Sequence, residues 1–61
     1  MHQDTQRSER FKNERKRLGW SQQKAADAIG VRREMWAKYE AGAEPGADAL
    51  SAMQRAGFDV D

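Results

Sequence analysis

Five glycines cut this chain of 61 residues into short lengths: Gly19, Gly30, Gly42, Gly46 and Gly57. The stretches between them are rich in Ala, Glu, Gln, Lys and Arg, residues that lose little side-chain freedom in a helix. The β-branched residues are Thr5, Ile29, Val31 and Val60, too few to furnish strands. A chain divided in this way packs as short helices that turn at its glycines. The expected fold is all-α: one domain over residues 1–61, with four short helices and turns near 19–21, 30–31, 42–46 and 57–58.

Size narrows what such a domain can do. A chain this short buries only about 60% of its unfolded surface, which leaves little volume for both a core and an enclosed catalytic cleft. There is no cysteine, hence no disulfide, thiolate metal site or thiol nucleophile. His2 is the sole histidine, with no Ser or Asp placed to work with it. Neither metal-ligand spacing nor a phosphate-binding glycine loop occurs. The expectation is a non-enzyme with no metal and no cofactor. No apolar run approaches the length of a membrane span or a signal-peptide core, and Phe11 and Leu18 are too little apolar surface to lay the first helix on a membrane. A cytoplasmic binding module is what remains.

The net charge of +1 hides an asymmetry. Residues 1–42 hold ten basic and six acidic side chains, and residues 43–61 hold one basic and four acidic. One electropositive face suits an anion or nucleic-acid partner, although a solubility pattern would give the same totals.

The helices follow from caps and spacing. The first is expected from Thr5 to Leu18, with Asp4 or Thr5 as its cap; Phe11 and Leu18 share a face, and Arg15 lies between them on it. Ser21 is a good N-cap for a second helix over Gln22 to Ile29, whose inward face is Ala25, Ala26 and Ile29. The third covers Arg33 to Ala41, with Trp36, Tyr39 and Glu40 on one side and Gly42 as a left-handed cap. The fourth runs from Ala47 to Ala56, buries Leu50 and Met53, and stops at Gly57, with Arg55 suited to its last turn.

The second helix spans only two turns and cannot stand alone. Gly30-Val31 leads directly into the third, so the two must dock. Small Ala25 and Ala26 let the axes approach, and Trp36 can fill the space they leave. That is a helix-turn-helix. With Trp36 and Tyr39 inward, the third helix projects Arg33, Glu34, Ala37 and Lys38, with Arg32 at its start. Two arginines there oppose the helix dipole, and Arg32 occupies a position where Ser, Thr or Asp would favour folding. Such a broken rule is expected where function outweighs stability, and a helix N-terminus aimed at phosphates would turn it to use.

The run Leu18-Gly19-Trp20-Ser21-Gln22-Gln23, then Ala26, Gly30-Val31 and Trp36-Ala37-Lys38-Tyr39-Glu40-Ala41-Gly42, resembles the lambda repressor/Cro-type helix-turn-helix domain. The resemblance covers about Gln6 to Val60, and the ending Ala56-Gly57-Phe58-Asp59-Val60-Asp61 looks like the approach to a fifth helix. It implies sequence-specific binding of double-stranded DNA by a phage-type transcriptional repressor, with a recognition helix over about 32–41 in the major groove. Residue by residue, it implies base contacts from Arg33, Glu34, Ala37 and Lys38 and phosphate contacts from Gln22, Arg32 and Gln23. It also implies a partly buried ion pair, Arg15 with Glu40, whose disruption would cost about 3–5 kcal/mol if fully buried. A near-palindromic operator, a homodimer on DNA or in a longer repressor, and a chain that is the N-terminal part of that repressor are further implications.

Departures from the family pattern are Arg32 in place of a small hydroxyl residue, Ala25 where Leu or Phe is common, and a loop reading Ala43-Glu44-Pro45 where Lys or Arg is usual. Arg7, Arg10 and Lys16 are read as a solvated helix face. The same fold also serves as a protein-interaction module, antitoxin-like or partner-docking. That use calls for an apolar stripe on the third helix, where only Met35 and Ala37 hint at one. Trp20 and Trp36 are read as core residues, not as platforms for stacked bases.

Overall fold

The computed structural model describes residues 3–60, and these form four helices and no strand: α1 (Gln3–Arg17), α2 (Gln22–Ile29), α3 (Arg33–Glu40) and α4 (Ala47–Ala56). His2 and Asp61 lie outside the described residues. The bounds of α2 and α4 are those expected from Ser21, Gly30 and Gly57. α1 and α3 each end one residue earlier than their patterns suggest. α1 also begins earlier. It already contains Asp4 and Thr5, so neither is its N-cap. A cap preference of about 1 kcal/mol does not stop a helix where preceding residues can each add a backbone bond. At the other end, residues 58–60 are not helical, so no fifth helix begins within the described chain.

Every helix finishes in the same way. At the end of α2, Gly30 takes φ +78° and donates its N–H to the Asp27 carbonyl at 3.2 Å, while Val31 donates to the Ala26 carbonyl at 3.0 Å. This paired closure satisfies two carbonyls that the helix leaves open, and the left-handed backbone strongly favours glycine. The same two bonds recur around Gly19, Gly42 and Gly57. Gly42 follows Ala41, which closes α3 in right-handed conformation.

α2 is the hub, packing on both α3 and α4, while α1 packs on α3. Between them lies one core of Phe11, Ala25, Ala26, Trp36, Tyr39, Met53, Phe58 and Val60. Trp36 is its centre, fully buried in the same cluster as the two small alanines of α2. Its ring centroid lies 5.2 Å from Phe58, 6.2 Å from Tyr39 and 6.3 Å from Phe11. Met53 is buried and Leu50 only half-buried. Trp20 is also half-buried, edge-on to Phe58 at 5.8 Å with the Lys24 ammonium 5.7 Å from its ring. Ser8 is buried too, on the face of α1 that carries Phe11.

The segment after α4 is clasped by α1. Arg17 donates to the Gly57 carbonyl at 3.0 Å and to Glu14, and Glu14 accepts the Asp59 backbone N–H at 2.9 Å. These bonds, from Arg17 first and Asp59 second, hold the Glu14 carboxyl below the ordinary glutamate range. Gln54 donates to the Val60 carbonyl at 3.0 Å. Phe58 and Val60 are thereby kept in the core.

Candidate nucleic-acid interface

The joint between α2 and α3 is rigid by construction. Ser21 caps α2, its hydroxyl accepting the Lys24 backbone N–H at 3.0 Å. Gly30 and Val31 close the other end, and Arg32 then begins α3 from an extended backbone (φ −79°, ψ 154°) with no side-chain cap. The first amides of α3 are thus left without the side-chain acceptor that Ser, Thr or Asp would supply.

One face of α3 turns inward. Trp36 and Tyr39 are buried, and Glu40 lies beside them with 7% of its side chain exposed. Four donors converge on that carboxylate. Arg15 of α1 donates through Nε to Oε2 at 2.6 Å and through Nη2 to Oε1 at 3.4 Å. Gln22 of α2 donates its amide to Oε1 at 3.1 Å, and the Trp36 indole N–H donates to Oε2 at 2.6 Å. Arg15, itself 13% exposed, also donates to the Trp20 carbonyl at 2.9 Å. Burial is the strongest single influence on Glu40 and raises its pKa. The bonds from Arg15, Gln22 and Trp36 together outweigh it and hold the carboxyl below its ordinary value. Glu40 is therefore an anion at neutral pH and ties α1, α2 and α3 together. The Arg15–Glu40 contact was legible in the sequence. The resemblance also implied that Gln22 braces the recognition helix, as its bond to Glu40 does; the contribution of Trp36 was not implied, although Trp36 and Glu40, four residues apart on one helical face, carried the signal.

The opposite face of α3 is exposed. Arg32, Arg33, Glu34 and Lys38 face solvent, Ala37 is half-exposed, and Met35 is 40% exposed. Among the described residues, the side chains of Arg32, Arg33, Glu34 and Lys38 have no hydrogen-bond or ion-pair partner. Three cations and one carboxylate stand unpaired along two turns of helix. Beside them, Gln22 is half-buried against Glu40, and Gln23 is exposed with its amide donating to Asp27 at 2.9 Å. The expected base-contacting residues thus share one helix, with Arg32 at its start and Gln22 and Gln23 on the first turn of the neighbouring one.

The loop after α3 is largely exposed, with Pro45 buried. Glu44 pairs with Arg7 of α1. Arg7 is consequently half-buried, in contrast to the solvated face expected of it, while Arg10 and Lys16 are exposed. The pair lies at the surface, with 62% of the Glu44 side chain exposed, and takes part of that negative charge out of play beside α3. An open hollow of about 400 Å³ between the end of α2 and α4 is bordered by Asp27, Ile29 and Arg55. Among the described residues no cluster of His, Asp and Glu could hold a metal ion, and no helix is long and apolar enough to cross a membrane.

Searches of curated proteins and of solved structures gave no match. The profile of a family described as helix-turn-helix matches residues 11–57, from Phe11 in α1 to the glycine that closes α4. With two short helices locked across Gly30-Val31 and a polar face left open on the second, the chain belongs to the Cro/C1-type helix-turn-helix family of DNA-binding regulators.

Proposed function

We propose that this protein binds double-stranded DNA in a sequence-specific manner as a phage-type transcriptional repressor, with α3 in the major groove. The observation that carries this reading is the unpaired polar face of α3. Charges that have no partner among the described residues are free to find one in a ligand, and their donor pattern suits base edges. Arg33 can donate two parallel bonds to guanine, Lys38 can donate to guanine O6 or N7, Glu34 can accept from a cytosine amine, and Ala37 can touch a thymine methyl. Each well-made contact of this kind discriminates by about 1–3 kcal/mol.

Register is a separate task. Arg32 at the uncapped start of α3, with Gln22 and Gln23 on the first turn of α2, provides phosphate contacts that position the rod without reading sequence. Gln22 is steadied for this by Glu40, which fixes one end of its amide. A homodimer on a near-palindromic operator follows from the small size of one reading head, since two half-sites one helical turn apart double the contacts. A regulator of this kind works in the cytoplasm, where bacterial DNA is reached.

Binding-site selection from random duplex DNA tests the reading with Arg33→Ala and Arg32→Ala in parallel. Arg33→Ala is expected to relax the preferred sequence, and Arg32→Ala to weaken all sites about equally. Unaltered selection and affinity in both variants would sink the assignment. The alternative, a partner-docking module, lacks an extended apolar stripe on α3, where most exposed positions are charged.

A further inference from the structure

α3 leaves one apolar feature in water. Met35 is 40% exposed, whereas the other large apolar side chains on the helices are half-buried, as Ile29 and Leu50 are, or buried, with Phe11, Trp36 and Met53 below 2%. On the helical surface its neighbours are Lys38 and Tyr39, three and four positions on, and at the start of the helix its N–H donates to the Arg32 carbonyl at 3.0 Å. Tyr39 is 7% exposed. The Tyr39 hydroxyl has no hydrogen-bond partner among the described residues and is not an enclosed orphan, so it reaches solvent. Arg32 and Lys38 are exposed and unpaired. The result is a small apolar spot set between two cations.

A ligand that fits this pattern is a polyanion carrying an isolated apolar group. In the major groove of duplex DNA that group is the 5-methyl of thymine, the one apolar substituent displayed there. We propose that Met35 is a specificity-determining residue that packs its thioether tip against a thymine 5-methyl group, with Arg32 and Lys38 drawing the strand onto it. The proposal rests on the DNA-binding reading above and assigns the contact to a particular side chain. Successive residues of a helix are offset by about 100°, so Met35 and Ala37 lie on opposite flanks of the exposed face. The methyl met by Met35 is therefore distinct from any that Ala37 touches. An unbranched, polarizable side chain adjusts to such a group without a preformed pocket.

Thymine-to-deoxyuridine substitution removes the methyl and nothing else. Duplexes recovered by selection from random DNA are remade with each thymine replaced singly. The wild-type protein is expected to bind one of these, or a symmetric pair, about fourfold more weakly, the value of one buried methyl. Met35→Ala is expected to bind the thymine and uracil versions of that duplex alike, and Met35→Leu to retain the preference. Circular dichroism should be the same for all three proteins, because the side chain is not part of the core. Discrimination at every thymine that is equal in wild type and Met35→Ala, with duplex binding intact, overturns the proposal and leaves the spot to another partner. Absence of any sequence-preferring duplex overturns the DNA-binding reading itself, and this inference with it.

Discussion

The two faces of α3 obey opposite rules. On the inner face the charge is fully answered: Glu40 accepts from Arg15, Gln22 and Trp36, and the rings of Trp36 and Tyr39 pack in the core. On the outer face Arg33, Glu34 and Lys38 have no partner among the described residues, and Arg32 occupies a cap position it cannot serve. Eight residues thus hold both a fully satisfied network and an unsatisfied one. The difference separates what folds the chain from what it presents. Substitutions inside should cost stability, and substitutions outside should cost binding while leaving the fold alone or improving it.

The severest test of that division is Trp36→Ala. Its ring meets three other aromatic rings, so the loss should approach about 5 kcal/mol, the upper end for a buried tryptophan. A domain of this size has a total stability of about 3–9 kcal/mol, so thermal denaturation should find the variant largely unfolded. Glu40→Ala comes next, at about 3 kcal/mol, the lower end for one partner of a buried pair, because Arg15 keeps its bond to the Trp20 carbonyl. Replacing both partners, Arg15→Met with Glu40→Leu, should recover most of that loss. A double variant no more stable than Glu40→Ala would mean that the charge itself, and not its orphaned partner, matters.

A smaller effect concerns acid. The carboxyls of Glu40 and Glu14 titrate lower in the folded chain than the ordinary glutamate value of about 4.3. Their stabilisation is therefore complete above that value and is lost as pH falls through their lowered values. Melting temperature should decline from about pH 5 downwards, and Glu40→Gln should flatten part of the decline. An equally steep profile in that variant would move the acid sensitivity elsewhere. The mildest change is Arg32→Ser. A serine cap should stabilise the fold by about 0.5–1 kcal/mol while weakening DNA affinity, so the two measurements should move in opposite directions. Gain in stability with unchanged affinity would make Arg32 nothing more than a poor cap.

Much of this was legible because it is local. Ser21 as acceptor, Gly30 and Gly57 as left-handed stops, and the spacing of Trp36, Tyr39 and Glu40 are written within a few residues of where they act. What escaped notice joins distant positions. Glu14 meets Asp59 and Arg17 meets Gly57 across some forty residues of chain, and no periodicity announces such a clasp. Arg7 with Glu44 is of the same kind. Arg7 was expected on a solvated face because its partner is brought to it only by the packing of α1. Ser8 was missed for another reason: a single hydroxyl on an apolar face reads as polar until its burial is seen. The outer face of α3 is polar as its spacing suggests, while Met35 gives only a hint of an apolar stripe because one exposed apolar residue carries little weight in a pattern.

One carboxylate shared by three helices has a consequence for how the molecule comes apart. Loosening any one of α1, α2 or α3 strips donors from Glu40 and so weakens the hold on the other two. Local fraying that frees α3 alone should be rare, and its inner amides should exchange with solvent only as fast as the whole chain unfolds. A domain built in this way presents α3 either fully formed or not at all.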